Sequence, residues 1–410
     1  MKSVKYLLIG GGLAACEAVK GIRKHDAEGT IMLVGQEAHM PYNRPPLSKG
    51  FLQGKKSKND CLCEPAAFYQ ENKVELLLGR RVTELDSDAR KAVFDNGEGV
   101  QFEKALLATG GEAVRLPVNG IDFDDVYRLR TLDDSTAIAA AAKSSQKAAV
   151  IGGGFIGMEI TASLASMGLE VAIIEHHNTL WPRFADPALA EQLRKYYENK
   201  GVTVLAGEKV TEVRGPGKAE KVITESGREV PCDFVVCAVG IKLNTELAEQ
   251  ADLQIDNGVV VDSRLQTSHP AVYAAGDIAN YPDPYFNKRR RVEHWGQAEY
   301  TGGLAGENMA GAKADYDLLT YAWSEGFDLH YEFAGEENVY DDVIMRGDFP
   351  DNNFAALYLR DNRLRGFVAV NPEQEALSAL EALVSSQADL AGKSEVLADI
   401  GCDISKLAGG

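Results

Sequence analysis

Residues 148–177 read AAVIGGGFIGMEITASLASMGLEVAIIEHH. An apolar run ends in three glycines. A helix-compatible stretch comes next, then a second apolar run closed by an acid, Glu175. That order describes one strand–turn–helix–strand unit. Residues 4–37, VKYLLIGGGLAACEAVKGIRKHDAEGTIMLVGQE, repeat it and close on Glu37. The residue types fit dinucleotide chemistry. Gly10 and Gly152 permit a tight turn, Gly12 and Gly154 let backbone approach a pyrophosphate, and Ala15 and Gly157 allow close helix–sheet packing. Leu13 and Ala14 start one helix, Phe155 and Ile156 the other. Their free N–H groups and positive dipole ends face the phosphates. Glu37 and Glu175 accept hydrogen bonds from ribose hydroxyls. Two such folds in one chain imply two dinucleotides. His176 and His177, with no arginine, come after Glu175, and a carboxylate repels a 2′-phosphate, so the second site is expected to prefer NADH over NADPH.

Other segments fit around the two repeats. ALLATGG (105–111, with Ala108, Thr109 and Gly110) and DFVVCAVG (233–240, ending at Gly240) are apolar strands closing on small residues, suited to backbone passing near a nucleotide. AVYAAGDIAN (271–280) ends a strand at Gly276 and Asp277; Asp277 either holds a ribityl hydroxyl or caps the turn. The order predicts an α/β protein with two Rossmann-like dinucleotide-binding domains, one nested in the other, plus a C-terminal α+β domain. The expected boundaries are 1–115 with 245–324, then 116–244, then 325–410. In the last, 353–371 reads as a β-hairpin turning at RDNR, and 373–387 as an amphipathic helix. This region packs on the others or forms a dimer face, so monomer and homodimer both stay open.

The chain has 410 residues and a net charge of −18, which disfavours nucleic acid and anionic membrane as partners. No run of about 18 apolar residues exists and the N-terminal glycines break any leader-like run, so a cytoplasmic protein is expected. The six cysteines show no disulphide framework. Cys61 and Cys63 are spaced C-x-C, which fits neither zinc nor thioredoxin-type chemistry, and no metal site is expected.

One stretch stands apart: MPYNRPPLSKGF, residues 40–51, a proline-locked basic loop whose two adjacent prolines exclude helix. Together with GGGLAA, LLATGG, VIGGGFIGME, VYAAGD, RVEHWGQA and YAWSEGFDL it resembles the NADH-dependent ferredoxin reductases of oxygenase systems, flavoproteins of the glutathione reductase-like fold. The resemblance spans residues 10 to 329. It implies FAD at the first turn and NAD(H) at the second. It assigns Arg44 and Lys49 to FAD, with Lys49 beside the flavin ring, where a cation stabilises negative charge. It places Glu159 against the nicotinamide, able to pair with that lysine; the bland alternative is a carboxylate complementing the helix N-terminus. Arg130 matches an arginine near the FAD pyrophosphate, and Arg183 one near the NAD ribose or adenine. Val82 would offer backbone groups to the FAD adenine. Trp295 and Trp323 match aromatics near the isoalloxazine, although a lone Trp is more often core.

Relatives that reduce disulphides keep a C-x4-C pair soon after the first repeat, and related peroxidases keep one cysteine there. Here PYNRPPLSK stands in that place, so a thiol relay is not expected. The remaining route runs from NADH to flavin and outward to a one-electron acceptor. Lys288, Arg289, Arg290 and Arg291 precede Trp295 and suggest a docking patch for an acidic iron–sulfur protein, a ferredoxin. The resulting expectation is an NADH:ferredoxin oxidoreductase feeding a Rieske oxygenase or cytochrome P450. The alternatives are a rubredoxin- or nitrite-reductase-linked NADH reductase, and an apoptosis-inducing-factor-like NADH sensor.

Overall fold

A computed structural model describes residues 1–183, 185–349 and 352–409. Its contacts divide the chain into two compact units. The first comprises 1–45, 57–112 and 241–318; the second comprises 46–56, 113–240 and 319–410.

In the first unit, Lys2–Ile9 lies between Ile31–Gly35 and Gly99–Leu107, parallel to both, with Val74–Leu78 beyond Ile31–Gly35. Val272–Ala274 adds a parallel strand next to Gly99–Leu107. The long Gly99–Leu107 strand also carries an antiparallel meander, Lys91–Phe94 and Val82–Asp86. The central strands are apolar on both faces (Leu7, Leu8, Leu33, Leu106), as parallel strands covered on both sides must be.

The second unit repeats this plan. Its parallel sheet runs Thr203–Ala206, Glu170–Glu175, Lys147–Ile151, Phe234–Cys237, Val126–Arg128. Its antiparallel meander is Val210–Arg214, Lys221–Thr224, Glu229–Pro231. The counterpart of the single strand Gly99–Leu107 is interrupted here. Pro231 cannot continue a ladder, and Asp233 turns its carboxylate to the N–H groups of Gln146 and Lys147, both within 2.8 Å.

The C-terminal part of the second unit is an antiparallel sheet ordered Tyr321–Gly326, Leu329–Gly335, Arg363–Val370, Asn353–Arg360, Asp342–Asp348. The predicted hairpin is present. Asp361 and Asn362 form its two-residue turn with φ of 52° and 56°, a conformation these residue types tolerate. The helix Gln374–Ser386 buries Ala379, Leu380, Leu383 and Val384.

Three segments expected with the first domain, 46–56, 113–115 and 319–324, group instead with the second unit, and 241–244, expected with the second domain, joins the first unit. Tyr321–Gly326 is an edge strand of the C-terminal sheet, and so carries Trp323 there. Residues 46–56 are tied down by Ser135 Oγ donating to the Leu47 carbonyl at 2.7 Å and Ser163 Oγ to the Ser48 carbonyl at 2.6 Å, while Leu52 packs among Ile138, Ile160 and Leu164. The paired prolines do not exclude helix altogether: Pro45–Ser48 forms one 3-10 turn. Proline tolerates the first positions of a turn, where no donor is needed.

Candidate functional site

The two glycine turns have the same geometry. Gly10 donates to the Val34 carbonyl at 2.9 Å and Gly152 to Ile174 at 2.8 Å. Their φ values are 135° and 109°, and a Cβ would stand 2.1 Å from the Ala108 carbonyl oxygen at Gly10 and 2.4 Å from that of Ala238 at Gly152. Only glycine is accommodated at either position. Gly12 and Gly154 N-cap the helices Leu13–His25 and Phe155–Ser166, and a Cβ on either would meet nothing within 4 Å. Open space in front of uncapped helix N–H groups is the cradle a pyrophosphate requires. Leu13, Ala14 and Ala15 are buried, whereas Ile156 is 43% exposed beside the second turn, a rare exposed large apolar side chain among the described residues. Gly157 packs so closely that a Cβ would lie 1.9 Å from the Gly152 oxygen. The residues fit two dinucleotides.

The first turn is backed by a helix, Trp295–Met309, that the sequence reading left unassigned. A Cβ on Gly302 would lie 2.3 Å from the Ala14 oxygen, and one on Gly306 would lie 2.3 Å from Ala18. The two helices touch backbone to backbone, which Gly302 and Gly306 on one and Gly21 on the other permit. Thr301 Oγ1 of this helix accepts from Gly276 N at 2.9 Å, next to Asp277 in a short 3-10 turn. Ala108 N donates to Ile9, Thr109 Oγ1 donates to the Asn244 carbonyl, and Gly110 turns with φ 60°. Val82 lies buried in its strand opposite Phe94.

Glu37 sits two residues past the strand Ile31–Gly35. Tyr42 Oη donates to it at 2.6 Å, and Arg44 Nη2 approaches at 3.2 Å. Burial opposes the charge on Arg44, but Tyr42, Glu37 and Asp277 together hold its pKa above the ordinary value. Trp295 opens its helix and donates through Nε1 to Asn43 Oδ1 at 2.7 Å. The first-unit residues of the basic loop thus gather around Glu37 and Trp295.

Lys49 does not join them. It lies in the second unit, where Nζ is 2.8 Å from Glu159 Oε1, with the carboxylate 5% exposed. Ser48 Oγ donates to the other carboxylate oxygen, and Ser324 Oγ donates to Oε1 at 2.7 Å. Glu159 is the fifth residue of its helix, past the first turn, so side chains rather than terminal N–H groups neutralise it. Lys49 Nζ also stands 5.0 Å from the Trp323 ring centroid, a cation–π distance. His330 stacks on Trp323 with centroids 6.2 Å apart. Glu325 and then Glu332 hold the His330 imidazolium, lifting its pKa to about 9. The sequence reading missed Ser48 and Ser324. Ser48 lay inside the motif beside Lys49, and Ser324 lies one residue from Trp323.

Glu175, 5% exposed, ends its strand. Its Oε2 accepts from Gly153 N at 2.5 Å and its Oε1 from His177 N at 2.8 Å. It therefore ties the glycine turn to the loop after it. Gly240 turns with φ 103° just after the strand Phe234–Cys237. Arg130 precedes the helix Leu132–Lys143, its N–H bonded to Asp134 Oδ2 at 3.0 Å. Arg183 is exposed and meets Glu337 at 3.3 Å.

The expected docking patch is reduced. Arg290 is 4% exposed and paired with Asp283 at 3.3 Å. Arg291 is largely buried, bonded to Glu293 at 2.8 Å and to the Asp277 carbonyl at 3.1 Å. Those two arginines brace the loop from inside, because a buried guanidinium in an acidic chain finds internal carboxylates first. Arg289 spends its guanidinium on the Val261 and Asn280 carbonyls, although the residue as a whole, like Lys288, is exposed.

Two glycine-turn dinucleotide folds, with a Lys–Glu pair beside the second of them, are the architecture of a protein that handles two dinucleotides. The chain belongs to the pyridine nucleotide-disulphide oxidoreductase family, which it matches over residues 4–302, with a reductase C-terminal match over 321–408. Within that family it groups with the ferredoxin reductases, and its cofactors are FAD and NAD(H). It is 31% identical to the probable ferredoxin reductase CtmF of Castellaniella defragrans, over 90% of this chain and 91% of that one. A ferredoxin reductase from Rhodopseudomonas palustris superposes with a TM-score of 0.92 at 29% identity, covering 100% of both chains. Putidaredoxin reductase, solved in a covalent complex with putidaredoxin, gives 0.93 at 26% identity over 100% and 99% of the chains. Among the described residues no helix is long and apolar enough to cross a membrane.

Proposed function

We propose that this chain takes electrons from NADH, passes them through FAD and delivers them singly to an acidic iron–sulfur protein of the ferredoxin type, which serves a Rieske oxygenase or a cytochrome P450, in the cytoplasm. The observation that carries this reading is the Lys49–Glu159 ion pair, 2.8 Å long and walled by Ser48, Ser324 and Trp323. It comes from the loop where disulphide-reducing relatives keep cysteines, and it contains no thiol.

When bound, FAD accepts two electrons from a nicotinamide and releases them one at a time. The protein's residues do the rest. Gly10 to Ala15 and Gly152 to Gly157 bind pyrophosphates at the two helix N-termini, with Arg44, Val82, Arg130 and Asp277 as further FAD contacts and Arg183 as a further NAD contact. Glu37 and Glu175 accept from ribose hydroxyls. Glu159, fixed by two serines, holds the Lys49 ammonium in one place. Lys49 then presents a positive charge where the flavin gains negative charge, at no reorganisation cost. Trp323, 5.0 Å from the Lys49 ammonium, is a flavin contact offered by the second unit, and Trp295 is one offered by the first.

On the acceptor side, Lys288 supplies the exposed positive charge that remains for docking, since the Arg289 guanidinium is bonded to the Val261 and Asn280 carbonyls. The test is anaerobic reduction by NADH followed by rapid mixing with plant-type and bacterial ferredoxins, rubredoxin and a quinone. Fast oxidation by a ferredoxin alone is the expected result; fast oxidation by rubredoxin or quinone instead would overturn the choice of acceptor. Reversing charge at Lys288 is expected to raise KM for the ferredoxin and to leave ferricyanide reduction unchanged.

A further inference from the structure

Three metal-ligating side chains converge at the end of the strand Glu170–Glu175. His176 Nδ1 lies 2.9 Å and His177 Nδ1 2.7 Å from the same oxygen, Oε1 of Glu175. The three ligand atoms all lie within 4.8 Å of one another. The imidazoles are 64% and 52% exposed, with ring centroids 3.7 Å apart, while the carboxylate between them is buried. We propose that Glu175, His176 and His177 form a binding site for a borderline transition-metal dication of the Zn²⁺ type.

The chemistry matches the donors. Two imidazole nitrogens and one carboxylate oxygen are the set of an open three-ligand site, with a fourth position left for water. Metal–ligand bonds of ~2.0–2.1 Å in a tetrahedron put ligands roughly 3.3 Å apart. The two N–O edges here need to open by only about half an ångström to reach that spacing, and neighbouring exposed rings can make that adjustment by rotation. Glu175 is already oriented. Its second oxygen is held by Gly153 N at 2.5 Å, and Oε1, which also accepts from His177 N at 2.8 Å, faces both imidazoles. Imidazole-rich sites favour Zn²⁺, Co²⁺ and Cu²⁺ over Mg²⁺ or Ca²⁺, which want oxygen ligands.

The site has a functional consequence that rests on the reading of Glu175 as a ribose acceptor. A dication on Oε1 occupies the oxygen the ribose needs and sets a bare positive centre at the mouth of the second glycine turn. Zn²⁺ would then compete with NADH.

The test uses the FAD-loaded protein with Co²⁺ as probe, followed by displacement with Zn²⁺. The expected result is one equivalent of Co²⁺ giving visible d–d bands of a four-coordinate site. Loss of the bands, or weakening of binding by on the order of tenfold or more, is expected in His176→Ala and in His177→Ala. Both positions are exposed, so folding is not at issue, and the flavin spectrum of each variant reports it. Absence of these bands, or binding equally tight in both variants, would overturn the site. NADH affinity is then measured with and without Zn²⁺. A weaker NADH affinity supports the competition. Unchanged affinity with metal bound leaves the site standing and removes Glu175 from the ribose.

Discussion

The two glycine turns are near copies, whereas the residues past their second strands diverge. In both, the first glycine carries the same backbone contact, the third opens a helix, and a third strand and a meander come after. Glu37 lies two residues beyond its strand, partly exposed, held by Tyr42 and Arg44. Glu175 is the last residue of its strand, buried, and held by backbone N–H groups of Gly153 and His177. The turn supplies a generic phosphate cradle. The residues after the second strand decide which nucleotide it serves and what chemistry is placed beside it.

The largest effect is expected on removing the shared glycine from one turn at a time. Gly10→Ala pushes a Cβ to 2.1 Å from the Ala108 carbonyl oxygen in a backbone conformation with φ 135°. The variant is expected to purify without flavin, read from the ratio of 450 to 280 nm absorbance. Gly152→Ala is expected to keep its flavin and to lose NADH affinity. Flavin loss in both would show that the two cradles are not separable.

Next in size is Glu159. Removing it leaves Lys49, Ser48 and Ser324 facing a gap, and breaking a buried pair costs about 3 kcal/mol. Glu159→Ala is expected to lower Tm, keep FAD, and slow flavin reduction by NADH on the order of a hundredfold through loss of positioning. Rapid-mixing absorbance at 450 nm checks this, and an unchanged reduction rate would remove Glu159 from the reaction. A smaller effect concerns the acid of the second turn. NADH is expected to exceed NADPH in kcat/KM by about tenfold or more, and Glu175→Ala to narrow that gap.

The smallest effect belongs to the C-terminal sheet, which only the second repeat carries. His330 has a folded pKa raised to about 9 from an ordinary 6.5, by Glu325 and then Glu332. A raised pKa means its stabilisation is complete below pH 6.5 and fades as pH climbs through about 9. The Tm difference between the parent and His330→Gln should therefore be largest at pH 6 and vanish above pH 9. Because the ring is 41% exposed, solvent screens the pair, and we expect a difference of no more than about 2 °C. A difference that grows with pH would reverse the assignment.

Legibility tracked the range of the interactions. The turns, their strands, the hairpin at Asp361–Asn362 and the helix after it were readable because local φ requirements and periodicity write themselves into neighbouring residues. The docking patch was misread for the opposite reason. A run of four cations looks the same whether solvated or buried, and only packing shows Asp283 waiting for Arg290 and Glu293 for Arg291. The helix Trp295–Met309 went unassigned because glycines within a helix lower its apparent propensity, while their purpose, contact with Ala14 and Ala18, is nonlocal.

Residue order alone is enough to specify two dinucleotide folds, the acids that end them, and a basic proline loop in place of redox cysteines. Those features depend on glycine conformations and on side-chain identity at fixed local spacing. Tertiary structure alone decided that the loop divides. Arg44 stays with Glu37 in the first unit. Lys49, five residues on, joins Glu159, 110 positions further along the chain, in the second. No local rule specifies that split, because it arises from Ser135, Ser163 and Leu52 anchoring residues 46–56 on helices formed far away in sequence.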